Sequence, residues 1–275
     1  MPNKRGIVIT VPKKYEEITL LNIQGIRKMG CQLPIELWEI GKEISEKTKN
    51  EFSNIEGITF KNVEDYSDNP QHWKGFQVKV FAFFYSSFQE VFLCDADVLL
   101  HQNPTTLFED EHYIETGTYF FRDLEKWQFS KLRNPLTQFY RLIIANKFES
   151  VSFFKKRKDW LTTLLPEKKA NFPKEWDYIY DSEIPKKPVK EALQESGVVV
   201  MNREKQKESF QCIFNLNNRH KETYQYIWGD KETFWIGCLI ANKEYYFNPS
   251  AGYMAEESGR LTHDYKDEKF FSQKG

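Results

Sequence analysis

Cysteine is scarce in these 275 residues, neither sign of charge dominates, and no long apolar run is present. The four cysteines, Cys31, Cys94, Cys212 and Cys238, lie far apart with no CxxC pair. That excludes a zinc-site spacing and a dense disulfide framework. Lysine plus arginine number 39 against 40 aspartate plus glutamate, a formal net charge of −1. A phosphate-backbone footprint needs a cationic excess, so no nucleic acid is expected as a partner. The basic clusters Lys155-Lys156-Arg157-Lys158 and Lys186-Lys187 stand among acidic and aromatic residues and read as solvated faces. No segment approaches the ~20 apolar residues that span a bilayer. Met1-Pro2-Asn3-Lys4-Arg5 leads into a strand pattern without a signal-peptide core. The chain as written is therefore expected to be soluble and cytoplasmic, or lumenal in the Golgi if it was trimmed of an anchor. Internal repeats and Gly/Ser-rich or Pro-rich linkers are also missing, and one domain over residues 1–275 is the expected organisation.

What the chain does have is core material, 40% hydrophobic and 16% aromatic residues, which excludes disorder as the dominant state. Gly6 to Val11 is a β-branched run ending at Pro12 and reads as a buried strand. Lys14 to Met29 reads as a helix with Ile18, Leu21, Gly25 and Ile26 on one face and Gly30 as its stop. Strands are expected at Ile35 to Ile40, Gly57 to Asn62, Glu90 to Cys94 and Gly197 to Met201. Helices are expected at Gly75 to Ser87 and Asp230 to Ala241. Strands alternating with helices predict an α/β fold, a mainly parallel central sheet with helices on both faces. Ligands of such sheets bind beyond the carboxyl ends of the strands. A composition shift between Lys155 and Lys190 reads as an insertion or long connection, not a domain boundary.

Asp95-Ala96-Asp97 closes the apolar strand Glu90 to Cys94 and is the sharpest chemical feature. On extended chain, side chains at i and i+2 share a face, so this pair could converge on one hard divalent ion. Its plain alternative is a strand-end turn. Lys79 lies on the helix feeding that strand and could reach a bound phosphate, although an isolated helix lysine is usually exposed. Glu195-Ser196-Gly197 combines a carboxylate, a hydroxyl and a glycine that permits close approach; its plain reading is a turn before the Val-rich strand. Gly229-Asp230-Lys231-Glu232 opens a helix, where Asp230 could be an N-cap and Glu232 a first-turn charge. His263, in a late segment, could supply a third protein ligand to a metal held by the aspartates.

Taken in this order, the motifs resemble the α-mannosyltransferases of the fungal Golgi, the Mnn-like enzymes. The resemblance is nearly continuous over Ser86 to Asp97, Glu195 to Asn202 and Gly229 to Trp235, and includes Thr116-Gly117 and Phe120-Phe121-Arg122-Asp123. A more distant similarity joins the chain to glycogenin-like retaining transferases. These resemblances imply a GT-A fold, Mn²⁺ or Mg²⁺, and a nucleotide-sugar donor, GDP-mannose or alternatively a UDP-sugar. They further imply a glycan or glycoconjugate acceptor and retention of the α configuration. Asp95, Asp97 and His263 would hold the metal. Thr10, Val11, Lys79, Asp95, Ala96, Ser196, Gly197, Lys231 and Lys269 would contact the donor. Glu195, Asp230 and Glu232 would be the catalytic carboxylates. An acceptor-side insertion is expected at about 127–190. A non-catalytic glycan- or nucleotide-sugar-binding module on the same fold is the reading from another class.

Overall fold

The structure, a computed structural model, describes residues 4–124, 160–165 and 194–274. The expected insertion, with the basic clusters at 155–158 and 186–187, lies outside the described residues apart from 160–165. Four strands, β1 (Arg5–Thr10), β2 (Ile35–Glu39), β3 (Ile58–Asn62) and β4 (Glu90–Cys94), pair in parallel in the order β3-β2-β1-β4. Val8 stands opposite Glu36 on one side and Leu93 on the other. Parallel neighbours cannot be joined by a hairpin, and three helices make the crossovers: α1 (Glu16–Lys28), α2 (Glu46–Ser53) and α3 (Gln77–Tyr85).

Beyond β4 the sheet turns mixed. β5 (Leu99–Leu100), β6 (Thr118–Leu124), β7 (Gln194–Asn202), β8 (Phe247–Met254), β9 (Leu261–Tyr265) and β10 (Glu268–Gln273) complete the order β3-β2-β1-β4-β7-β6-β8-β9-β10-β5. β7 runs antiparallel to β4, with Cys94 opposite Val198, and β6 runs antiparallel to β7. β6 and β8 are parallel, while β8-β9-β10-β5 pair antiparallel. Further helices among the described residues include α4 (Glu111–Thr116), α5 (Lys207–Asn218), α6 (His220–Thr223) and α7 (Thr233–Ile240).

The period-2 alternation of the central strands divides the core in two. Val8, Val91, Leu93, Val199 and Met201 face Phe81 and Phe83 of α3, Phe210 of α5 and Trp235 of α7. Ile7, Ile9, Phe92, Cys94, Val198 and Val200 face Ile23 and Ile26 of α1, Phe52 of α2, and Phe270 and Phe271 of β10. A sheet covered on both faces needs apolar residues at every position, which is why these strands are unbroken apolar runs. α5 and α7 approach so closely that a Cβ on Gly237 would lie 2.3 Å from Ile213 Cγ1 and 3.0 Å from its backbone nitrogen.

Two expectations change. α1 buries Thr19, Asn22, Ile23 and Ile26, whereas Leu21 is 64% exposed. Asn22 takes a core place because its Oδ1 accepts the Leu100 N–H, a need that apolar periodicity does not register. Glu195-Ser196-Gly197 is no turn before β7 but part of the strand, where the pairing with β6 jumps from Phe120–Val199 to Phe121–Glu195.

Candidate active site

The antiparallel pairing of β7 with β4 brings Glu195-Ser196-Gly197 beside Asp95-Ala96-Asp97, and the Asp95 N–H donates to the Gly197 carbonyl at 2.8 Å. The aspartates do not lie on extended chain as expected. They occupy a turn that the Val98 N–H closes on the Asp95 carbonyl at 3.2 Å. Both remain half-buried, with Ala96 buried between them. The next strand over, β1, ends here as well. Thr10 and Val11 are buried at its tip, and the Val11 N–H donates to the Trp38 carbonyl.

Lys79 sits at the centre. α3 is apolar on nearly all sides, so the helix is buried and carries its lysine inward. Its Nζ lies 3.0 and 3.1 Å from the Asp95 carboxylate oxygens, 3.0 Å from Asp230 Oδ2, 3.0 Å from the Ser196 carbonyl and 2.9 Å from Ser196 Oγ. Ser196 Oγ in turn donates to Asp230 Oδ2 at 3.1 Å. Burial opposes charge on Lys79, but Asp230 and Asp95 outweigh it and hold the ammonium protonated above the ordinary lysine range. One ammonium cannot balance three aspartates. Burial, with Asp230 and Asp97 nearby, pushes the Asp95 carboxyl up to about 7 despite Lys79.

A second cluster adjoins the first. Lys231 Nζ lies 2.6 Å from Glu195 Oε2 and 3.1 Å from Asp123 Oδ2, at the end of β6. The Gly197 N–H donates to Glu195 Oε1 at 2.8 Å. Burial would raise the Glu195 carboxyl, but Lys231 and His263 outweigh it and set it at about 2. His263, on β9, is 1% exposed and stacks on Phe271, with centroids 4.4 Å apart. Burial pushes its imidazole down to about 4, so at neutral pH Lys231 is the cation that holds Glu195 ionised.

The remaining candidates fall elsewhere. Glu232 is fully buried, accepting from the Gln194 N–H at 3.3 Å and from Trp235 Nε1 at 2.6 Å, and so ties the start of β7 to α7. Asp230 does not cap a helix, since α7 begins at Thr233 and its side chain turns to Lys79 and Ser196. Lys269 is exposed on β10 opposite Asp264, outside both clusters. Among the described residues no three His, Cys, Asp or Glu side chains are grouped to hold a metal, so His263 does not complete a triad with Asp95 and Asp97.

Three further residues take part. Asp123 lies near the end of β6, after the apolar stretch Tyr119-Phe120-Phe121, a signal the sequence carried. Gln273 and Arg260 had no local signal, since hairpin register places them. Gln273 hydrogen-bonds Glu195 and lies so close that a Cβ on Gly197 would be 2.1 Å from its Oε1. Arg260 Nη2 donates to the Asp97 carbonyl at 2.8 Å, fastening the aspartate turn to the C-terminal strands.

A family model described as "Mannosyltransferase putative" matches residues 4–274. The chain is 30% identical to the Candida albicans protein named "Putative alpha-1,3-mannosyltransferase MNN15", over 95% of this chain and 37% of that protein. It is 26% identical to the alpha-1,3-mannosyltransferase MNT3 of Saccharomyces cerevisiae, over 90% of this chain and 39% of the relative. The chain thus spans only a little over a third of the length of these curated relatives. In fold it is similar to core-mannan synthase A (CmsA/Ktr4) from Aspergillus fumigatus in its Mn/GDP form, with a TM-score of 0.51 at 11% identity, over 92% of this chain and 74% of that one.

Proposed function

The chain belongs to this mannosyltransferase family, and from that premise we propose that it transfers mannose from GDP-mannose to a glycan or glycoconjugate acceptor in α linkage with retention. The observation that carries the reading is the Lys79 ammonium, which ties Asp95, Ser196 and Asp230 into one buried knot at the carboxyl end of the sheet.

The donor set suits a divalent cation. Lys79 against Asp95, Asp97 and Asp230 leaves two formal negative charges, and burial first, then Asp230 and Asp97, raises the Asp95 carboxyl. Mn²⁺ and Mg²⁺ accept one or two carboxylates and leave their other positions to phosphate oxygens. Asp95 and Asp97 would hold that ion, which when bound neutralises charge building on the departing diphosphate. Lys79 adds fixed positive charge on the same side and holds Asp95 in place. Arg260 fixes the turn that presents Asp97. Glu195, kept ionised by Lys231, is a carboxylate suited to stabilise oxocarbenium character at the sugar. Asp230, bonded by both Lys79 and Ser196, positions those two groups. Glu232 positions β7 from beneath. The tip of β1, at Thr10 and Val11, is where the nucleoside would lie.

A thermal-shift panel of GDP, UDP, GDP-mannose, UDP-glucose and UDP-N-acetylglucosamine, each with and without Mn²⁺, tests the reading. A ligand that binds the native state alone raises the melting point by mass action. The expected result is a Mn²⁺-dependent rise with the guanine ligands, followed by mannoside product from GDP-mannose. A rise confined to uracil ligands would replace the donor, and flat curves would overturn the metal–diphosphate site.

A further inference from the structure

Two large aromatic side chains stand out in solvent beside the Lys79 knot. Trp228 is 71% exposed and Phe76 65% exposed. They sit on the two loops that deliver the knot's charges: Phe76 three residues before Lys79, and Trp228 two residues before Asp230. The loops touch, since a Cβ on Gly229 would lie 3.2 Å from Phe76 Cδ2 and 3.3 Å from its Cγ. Adjacent Cα atoms are about 3.8 Å apart, so the Phe76 ring lies within about 12 Å of the Asp230 carboxylate that pairs with Lys79.

Trp228 is not held outward by want of structure around it. Ile227 beside it is 3% exposed, and Tyr226 stacks on Trp160 with centroids 4.9 Å apart and planes inclined by 6°. Gly229, on the other side, takes the left-handed conformation at φ 62° and turns the chain under Phe76. The indole is therefore displayed from a segment pinned before and after it.

We infer that Phe76 and Trp228 form an aromatic platform for the acceptor, on which the apolar C–H face of a hexopyranoside ring rests. Area argues for this occupant. Aromatic side chains bury roughly 150–250 Å² each, so two rings about two-thirds exposed offer on the order of 300 Å². A protein partner needs about 800 Å² per side, whereas one sugar ring is covered by far less. Position argues the same way. A pyranose has an apolar face and a hydroxyl rim, and here the Phe76 loop adjoins the Gly229–Asp230 turn of a cluster in which the Asp95 side chain stays 29% exposed. This rests on the transferase reading above, of which it names the acceptor subsite.

The test uses Trp228→Ala, Phe76→Ala and the conservative Trp228→Phe in the full chain, with methyl α-mannoside as the probe. Contact is read by saturation-transfer NMR in the presence of Mn²⁺ and GDP, and by the acceptor KM with GDP-mannose as donor. An aromatic contact of ordinary strength implies about a tenfold rise in acceptor KM for each alanine variant. Trp228→Phe should recover most of that loss, and the Mn²⁺–GDP thermal shift should be unchanged in all three. Unaltered mannoside contact and KM in both alanine variants would overturn the platform, as would absence of mannoside contact in the wild type. If the wild type shows no Mn²⁺–GDP shift, yet mannoside contact still depends on Trp228, the transferase reading fails and the platform stands.

Discussion

Replacing Lys79 with methionine removes one charge from the centre of the site and keeps most of the side-chain volume. Lys79 and Asp230 side chains are 8% and 3% exposed, while that of Asp95 is 29% exposed. Taking one partner from a buried ion pair costs about 3–5 kcal/mol, because the other charge is left without compensation. Water reaching Asp95 relieves part of this, so the lower end, about 3 kcal/mol, is expected. At roughly 2–4 °C per kcal/mol for a chain of this size, the melting temperature should fall by about 6–12 °C. The deficit has a definite pH dependence. Without the ammonium, the carboxylates left behind gain protons on folding, so the variant's relative stability is best in acid and is lost as pH rises towards neutrality. Thermal denaturation followed by circular dichroism at pH 5 and pH 7.5 measures both effects. Adding Asp230→Asn removes one of the stranded carboxylates, so the double variant should be more stable than the two single losses summed. A melting temperature within about 2 °C of wild type, or strict additivity in the double variant, would refute a central ion-pair role for Lys79.

Other consequences can be checked directly. The Glu195 carboxyl is held down from 4.5 to about 2, so its ion pair adds on the order of 3 kcal/mol above the ordinary carboxylate range. That contribution should fade as pH falls from about 4.5 towards 2, and acid denaturation of Glu195→Gln should lack this component. Gly237→Ala drives a methyl into α5, including the Ser209 carbonyl at 3.2 Å, and should cost more than about 2 kcal/mol in urea denaturation. Gly25→Ala, with nothing within 4 Å of the new methyl on a helix, should instead stabilise by about 0.5–1 kcal/mol. Burial raises all four thiols, Cys238 to about 12, and only Cys212 is not fully buried. A colorimetric thiol titration at pH 8 should therefore find Cys212 first, and the other three only after denaturation.

Much of this molecule could be read along the chain because its signals are local. Ile7 to Ile9, Val91 to Cys94 and Val198 to Met201 are unbroken apolar runs, and only a strand covered on both faces uses such runs. Asp95-Ala96-Asp97 stands out in the sequence because two carboxylates at the end of a buried strand call for positive charge, and in the fold Lys79 meets Asp95 there. Asn22 and Leu21 escaped that reading. A helix face is set by what it meets, and Asn22 meets an unpaired backbone N–H of β5.

What tertiary structure decided is which motifs meet and what charge each one carries. Residues 95 and 196 are neighbours because β7 runs antiparallel to β4, and strand direction leaves no mark in the composition of either strand. Glu232 looked like its neighbour Asp230 in sequence, yet one lies under Trp235 and the other on Lys79. His263 had the residue type for a metal ligand, but the register of β9 against β10 set its ring on Phe271. A residue's type can be read from the chain alone. Its desolvation and its partners depend on distances between distant segments, and those exist only once the sheet has formed.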